Sequence, residues 1–97
     1  MVELRNKEVD ALFDAISSLE NREECYKFFE DALTVKEILD ISQRLKAAKM
    51  LKNGKSYTEV CRVTGMSSAT ISRVSKALEH GKGGYALVME RVGDDYD

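Results

Sequence analysis

The chain has 97 residues, 43% hydrophobic and 33% charged, the size of one small domain that buries only about 60 to 65 percent of its unfolded surface. This is too apolar for disorder, yet no apolar run approaches the ~20 residues of a membrane span, and the opening MVELRNKEVD lacks the apolar stretch of a signal peptide. The expectation is a soluble cytoplasmic protein of bacterial type with no membrane partner, its net charge of −2 concealing a strong asymmetry along the chain.

There is no proline and no strand-like alternation, so capping residues and glycines supply the punctuation of an all-α chain. A first helix is predicted from about Asn6 to Leu19, with Val9, Leu12, Phe13, Ile16 and Leu19 in one apolar stripe. Asn21 caps a second helix over about 22–32, whose face of Cys25, Tyr26, Phe28, Phe29, Ala32 and Leu33 is too wide for so short a helix to bury by itself. Thr34 and Glu37 form a capping box that opens a long third helix running to a stop at Asn53 and Gly54. Thr58 is the expected cap of a fourth helix. A fifth runs from Ser67 to about His80, and Gly81, Gly83 and Gly84 separate it from a short sixth over about 85–92. The tail GDDYD, 93–97, is expected to fray.

Within this series, SYTEVCRVTGMSSATISRVSKAL, residues 56–78, fits the helix-turn-helix pattern without a gap. Val60, Thr64, Met66, Ile71 and Val74 fall where two crossed helices interlock, and Cys61 is small enough to let the second helix cross close by. Gly65 supplies the positive φ of the turn, and Ser67 caps the next helix. Any amphipathic helix pair jointed by glycine meets part of this pattern; here glycine, cap and spacings coincide in one register. Ser67, Ser68, Ala69, Thr70, Ser72, Arg73 and Lys76 are thereby assigned to DNA, with the small polar groups meeting base edges and the cations meeting phosphate or guanine.

Charge follows the same division. Between Arg44 and Lys82 nine basic residues stand against Glu59 and Glu79, a local charge of +7, while the rest of the chain sums to −9. A basic module on an acidic body suits a protein that presents one face to a duplex. The chain reads as one domain over 1–97, with dimerisation helices at about 6–53, the helix-turn-helix at about 56–80, the short helix at about 85–92 and the acidic tail at 93–97. Surplus apolar surface on the first two helices and the last points to burial against another chain.

The long helix, glycine break, helix-turn-helix and short last helix, with the stretches DALTVKEILDISQRL and GMSSATISRVSKAL, resemble the Trp repressor superfamily and, within it, the Trp repressor-like YerC/YecD family. The resemblance covers roughly residues 10–92. It implies a six-helix, Trp repressor-like, intertwined homodimer whose two recognition helices enter successive major grooves of a roughly palindromic operator. It also implies an effector site: the Trp repressor grips its corepressor with an arginine from the long helix and one from the recognition helix, which fall on Arg44 and Arg73, with Leu33 and Thr34 near the ligand's amino group. The chain departs from the pattern at Val74, where the Trp repressor has glycine against the indole. Overpacking of that kind costs about 1 to 3 kcal/mol, which disfavours tryptophan; no cofactor is assigned. The loop after the long helix is also one residue shorter, which favours the carry-over onto Arg73 above that onto Arg44. On spacing alone, Arg44 reads as a solvated or ion-paired side chain.

Catalysis finds no residues to carry it. The single histidine, His80, reads as a C-terminal cap; Ser67, Ser68, Ser72 and Ser75 have no base at a usable spacing. Cys25 and Cys61 lack any zinc-ligand spacing and read as small buried hydrophobes. The alternative function is a helix-turn-helix that binds an acidic protein of the transcription machinery. The leading reading is a double-stranded-DNA-binding transcriptional regulator, a repressor associated with the nucleoid.

Overall fold

The computed structural model describes residues 4–96. It consists of α1 (Lys7–Ser17), α2 (Arg22–Ala32), α3 (Val35–Lys52), α4 (Tyr57–Thr64), α5 (Ser68–His80) and α6 (Gly84–Val92), with no strand among the described residues. The chain divides into two compact units, Met1–Ile38 and Leu39–Asp97, the boundary falling within α3.

In the first unit the helix starts are set by side-chain caps. Asn6 Oδ1 accepts the Val9 N–H at 2.9 Å, and Asn21 Oδ1 accepts the Glu24 N–H at 2.9 Å while Glu24 Oε1 accepts the Glu20 N–H at 2.9 Å. The Thr34–Glu37 box closes as expected: Thr34 Oγ1 accepts the Glu37 N–H at 3.1 Å and Glu37 Oε1 accepts the Thr34 N–H at 2.9 Å. Packing is thin by comparison. Neither α1 nor α2 contains a buried residue. Of the predicted stripe, Val9, Ile16 and Leu19 are half-buried, whereas Leu12 and Phe13 remain 43% and 54% exposed. Phe28 and Phe29 stack edge to face, ring centres 5.4 Å apart.

The second unit holds the core. Ala47, Ala48 and Met50 from α3 meet Val60 of α4, Ile71 and Val74 of α5 and Met89 of α6, with Leu51, Cys61, Met66, Leu78 and Tyr85 packed around them. Two adjacent alanines of α3 have no exposed surface, so the C-terminal half of that helix contributes small side chains to the core. Burying a side chain such as Ile71 contributes about 1.5–3 kcal/mol, so this small cluster sets the position of α5.

Three local expectations are corrected. Ser56, not Thr58, caps α4, its Oγ accepting the Glu59 N–H at 3.2 Å. Gly81, not His80, caps the end of α5, its N–H donating to the Ala77 carbonyl at 3.0 Å. Thr64, half-buried, ties the end of α4 to the turn, its hydroxyl donating to the Val60 carbonyl at 2.6 Å and accepting the Met66 N–H at 3.2 Å. The tail through Tyr96 is docked, not frayed: Tyr96 packs against the core, and Asn53 Nδ2 donates to the Asp94 carbonyl at 3.2 Å.

Candidate nucleic-acid interface

α4, the turn and α5 form the predicted helix-turn-helix. Gly65 ends α4 at φ 72°, its N–H donating to the Cys61 carbonyl at 2.9 Å. Met66 then packs on the core, and Ser67 Oγ accepts the Thr70 N–H at 3.2 Å to open α5. The left-handed residue is where a side chain would introduce strain, so the chain reverses into α5 at the one position built to allow it.

On α5, buried Ile71 and Val74 and half-buried Leu78 hold one face to the core. Ser68, Ala69, Arg73 and Lys76 are exposed, as is the cap Ser67, and Thr70 and Ser72 are half-buried. All seven residues assigned to DNA from sequence are therefore at least partly accessible on one short helix and its cap. Thr70 is the least free, because its hydroxyl lies 3.0 Å from Ser67 Oγ as part of the cap.

Electrostatics favour an anion at this face. α1 to α4 each carry Asp or Glu in the first turn, whereas α5 carries none there and has Arg73 and Lys76 further along. Its first-turn N–H groups thus keep their positive dipole end unopposed. Arg73 and Lys76 make no ion pair among the described residues. Arg62, in contrast, is paired with Glu59 at 3.1 Å.

Beside this face the second unit contains a cavity of about 260 Å³ lined by Arg44, Thr70, Arg73, Val74, Ala77 and Tyr85. Arg44 and Arg73, assigned together from sequence, do converge here. Arg44 is exposed and forms no ion pair among the described residues, in line with the solvated alternative of the reading from its spacing. Leu33 and Thr34 are not among the lining residues, and Thr34 is engaged in its capping box. Val74 lines the cavity yet is 3% exposed, so its side chain serves the core as well. Sequence reasoning missed Tyr85 and Ala77. Tyr85 carried only an apolar-packing signal, and nothing local announces that α6 closes over α5.

No group of three or more His, Cys, Asp or Glu is arranged for a metal among the described residues. His80 is exposed at the end of α5 beside Glu79, 3.6 Å away. Cys25 and Cys61 are free thiols, half-buried rather than fully buried. No helix is long and apolar enough to cross a membrane.

Residues 7–93 match the family model described as Trp repressor protein. The chain belongs to the Trp repressor family. It is 47% identical over 89 residues to the uncharacterized protein YerC of Bacillus subtilis (strain 168), covering 92% of this chain and 86% of that one. Its fold matches the TrpR-like protein of Eubacterium eligens ATCC 27750 with a TM-score of 0.88 at 48% identity, over 93% of each chain. A Trp repressor candidate from Staphylococcus aureus superposes with a TM-score of 0.89 at 48% identity, over 97% of this chain and 94% of that one. This Trp repressor family member is accordingly an all-α, helix-turn-helix DNA-binding regulator of a family that is regulatory, not enzymatic.

Proposed function

We propose that this Trp repressor family member is a sequence-specific repressor of transcription that acts on double-stranded DNA as a homodimer in the bacterial cytoplasm, associated with the nucleoid. The observation that carries the reading is the exposed, unpaired Arg73 and Lys76 on a helix whose opposite face is locked by Ile71 and Val74. Ser67, Ser68, Ala69, Thr70 and Ser72 complete the contact. Their short side chains reach few base edges directly, so bridging water and groove shape carry much of the selectivity.

Self-association is supported by apolar surface that one chain leaves uncovered. Leu12, Phe13, Tyr26, Leu39 and Ile41 are each more than two-fifths exposed. Two copies would present two α5 helices to half-sites about one helical turn apart.

The test is a fluorescence-anisotropy titration on genomic fragments. Affinity for a preferred duplex is expected to fall by roughly 10³ or more between about 50 and 200 mM salt, as several released counterions require. If no fragment outcompetes random DNA at any salt, the reading fails, and the alternative of an acidic protein partner for α5 takes its place.

The cavity between Arg44 and Arg73 supports a second element of the reading, a small anionic effector. Tryptophan is disfavoured because the Val74 side chain stands where the Trp repressor has only backbone. Calorimetry with tryptophan is expected to give no saturable heat; saturable binding that Arg73→Ala abolishes would reverse this assignment.

A further inference from the structure

The C-terminal segment is acidic, and it lies against the basic turn that leads into the helix-turn-helix. α6 ends as Gly93, at φ 88°, donates its N–H to the Met89 carbonyl at 2.8 Å. That positive-φ turn sends the chain back toward the end of α3. There Asn53 Nδ2 bridges two carbonyls, that of Lys49 at 2.7 Å and that of Asp94 at 3.2 Å. Lys52 Nζ lies 3.9 Å from Asp94 Oδ2, and Tyr96 anchors the far end of the segment on the core. The segment is therefore held at three points: a backbone turn, a side-chain bridge and an aromatic anchor.

What it covers is a place where phosphate is expected. In helix-turn-helix docking the first helix crosses the DNA backbone, and Lys52, the last residue of α3, and Lys55, in the turn that follows, come shortly before the Ser56 cap of α4. The Lys52 side chain is half accessible and is already occupied by Asp94. Lys55 makes no ion pair among the described residues.

We propose that residues 93–96 form an acidic strap in which Asp94 competes with DNA phosphate for Lys52, lowering affinity for DNA of any sequence. The inference rests on the DNA-binding reading above. An ion pair this exposed is weak, so the strap is a tuner and not a lock: DNA displaces it at modest cost.

The experiment compares wild-type protein with Asp94→Asn, Asp95→Asn, Lys52→Gln and the Asp94→Asn/Lys52→Gln double variant on a labelled random-sequence duplex. Circular dichroism establishes that each variant is folded. Asp94→Asn keeps the backbone carbonyl bonded to Asn53 and leaves Tyr96 untouched. Asp95→Asn makes the same charge change at a neighbouring exposed residue that has no partner among those described. Asp94→Asn is expected to tighten binding roughly two- to fivefold at low salt and to steepen the salt dependence by about 0.9 per subunit, one further phosphate neutralised. Asp95→Asn should gain less, and in the Lys52→Gln background the gain from Asp94→Asn should vanish.

Equal gains from Asp94→Asn and Asp95→Asn, or a gain that survives Lys52→Gln, would mean that only general repulsion is at work and would overturn the strap. Wild-type binding with no gain in Asp94→Asn overturns it too, leaving the DNA-binding reading intact. Failure of every variant to bind any duplex overturns both.

Discussion

Gly65→Ala isolates a single physical term. Gly65 sits at φ 72°, and a Cβ built on it meets no heavy atom within 4 Å. Overpacking, which would add about 1–3 kcal/mol, is therefore absent. What remains is the left-handed strain of an alanine, about 1–2 kcal/mol, partly offset by about 0.4–1 kcal/mol from the stiffer unfolded chain. The expected net loss is about 1 kcal/mol. In a domain of this size that lowers Tm by roughly 4–8 °C. Urea unfolding followed by circular dichroism, at matched protein concentration so that any self-association contributes equally, measures the loss directly. Gly65→Asn should lose less, since Asn tolerates the same backbone region through its short polar side chain. No loss in Gly65→Ala would show that the turn does not need a left-handed residue, and a loss beyond about 3 kcal/mol would show that the site is crowded. Either result refutes the reasoning.

Ile71→Ala, which opens a cavity in the small core, is expected to cost about 2–5 kcal/mol by chemical denaturation, more than any surface change on α5. Arg73→Ala and Lys76→Ala should each leave helical content intact, weaken DNA binding and reduce the salt slope by about 0.9 for each phosphate left without its cation; unchanged affinity in both would mean that another face meets DNA. Phe13→Asp, placing a carboxylate on the exposed stripe of α1, should weaken self-association by roughly two orders of magnitude, because a desolvated charge costs several kcal/mol, and light scattering would then detect monomer. Ser67→Ala, which removes the oxygen that accepts the Thr70 N–H, should cost about 0.5–2 kcal/mol.

The helix-turn-helix is legible in the sequence because its signals are local. Gly65, Ser67, Val60, Ile71 and Val74 lie within fifteen residues and reinforce one register, and the structure uses each as its type suggests. The boundaries of α2 and the start of α3 are equally readable, since Asn21, Thr34 and Glu37 act on their own neighbours. At the start of α4 two hydroxyl residues compete for the cap, and the stronger signal belongs to Ser56: Ser56-Tyr57-Thr58-Glu59 is itself an S-x-x-E pattern, whereas Thr58 lies within the first turn. The docked tail and the cavity are not legible, for a different reason. The Asn53 to Asp94 hydrogen bond joins residues 41 apart, and the cavity draws Arg44 and Tyr85 from helices on opposite sides of the helix-turn-helix in sequence. Composition describes GDDYD as solvated; only packing reveals that Tyr96 has a seat.

The division of labour along α5 has an evolutionary corollary. The side chains that fix the helix in place, Ile71 and Val74, are different from those that face outward, Ser68, Ala69, Arg73 and Lys76. Replacing the outward set leaves the wholly buried alanines of α3 and their surroundings as they are, so new target preferences can be explored with little risk of unfolding. Descendants of one ancestral scaffold can diverge in the promoters they govern while their interiors stay nearly the same.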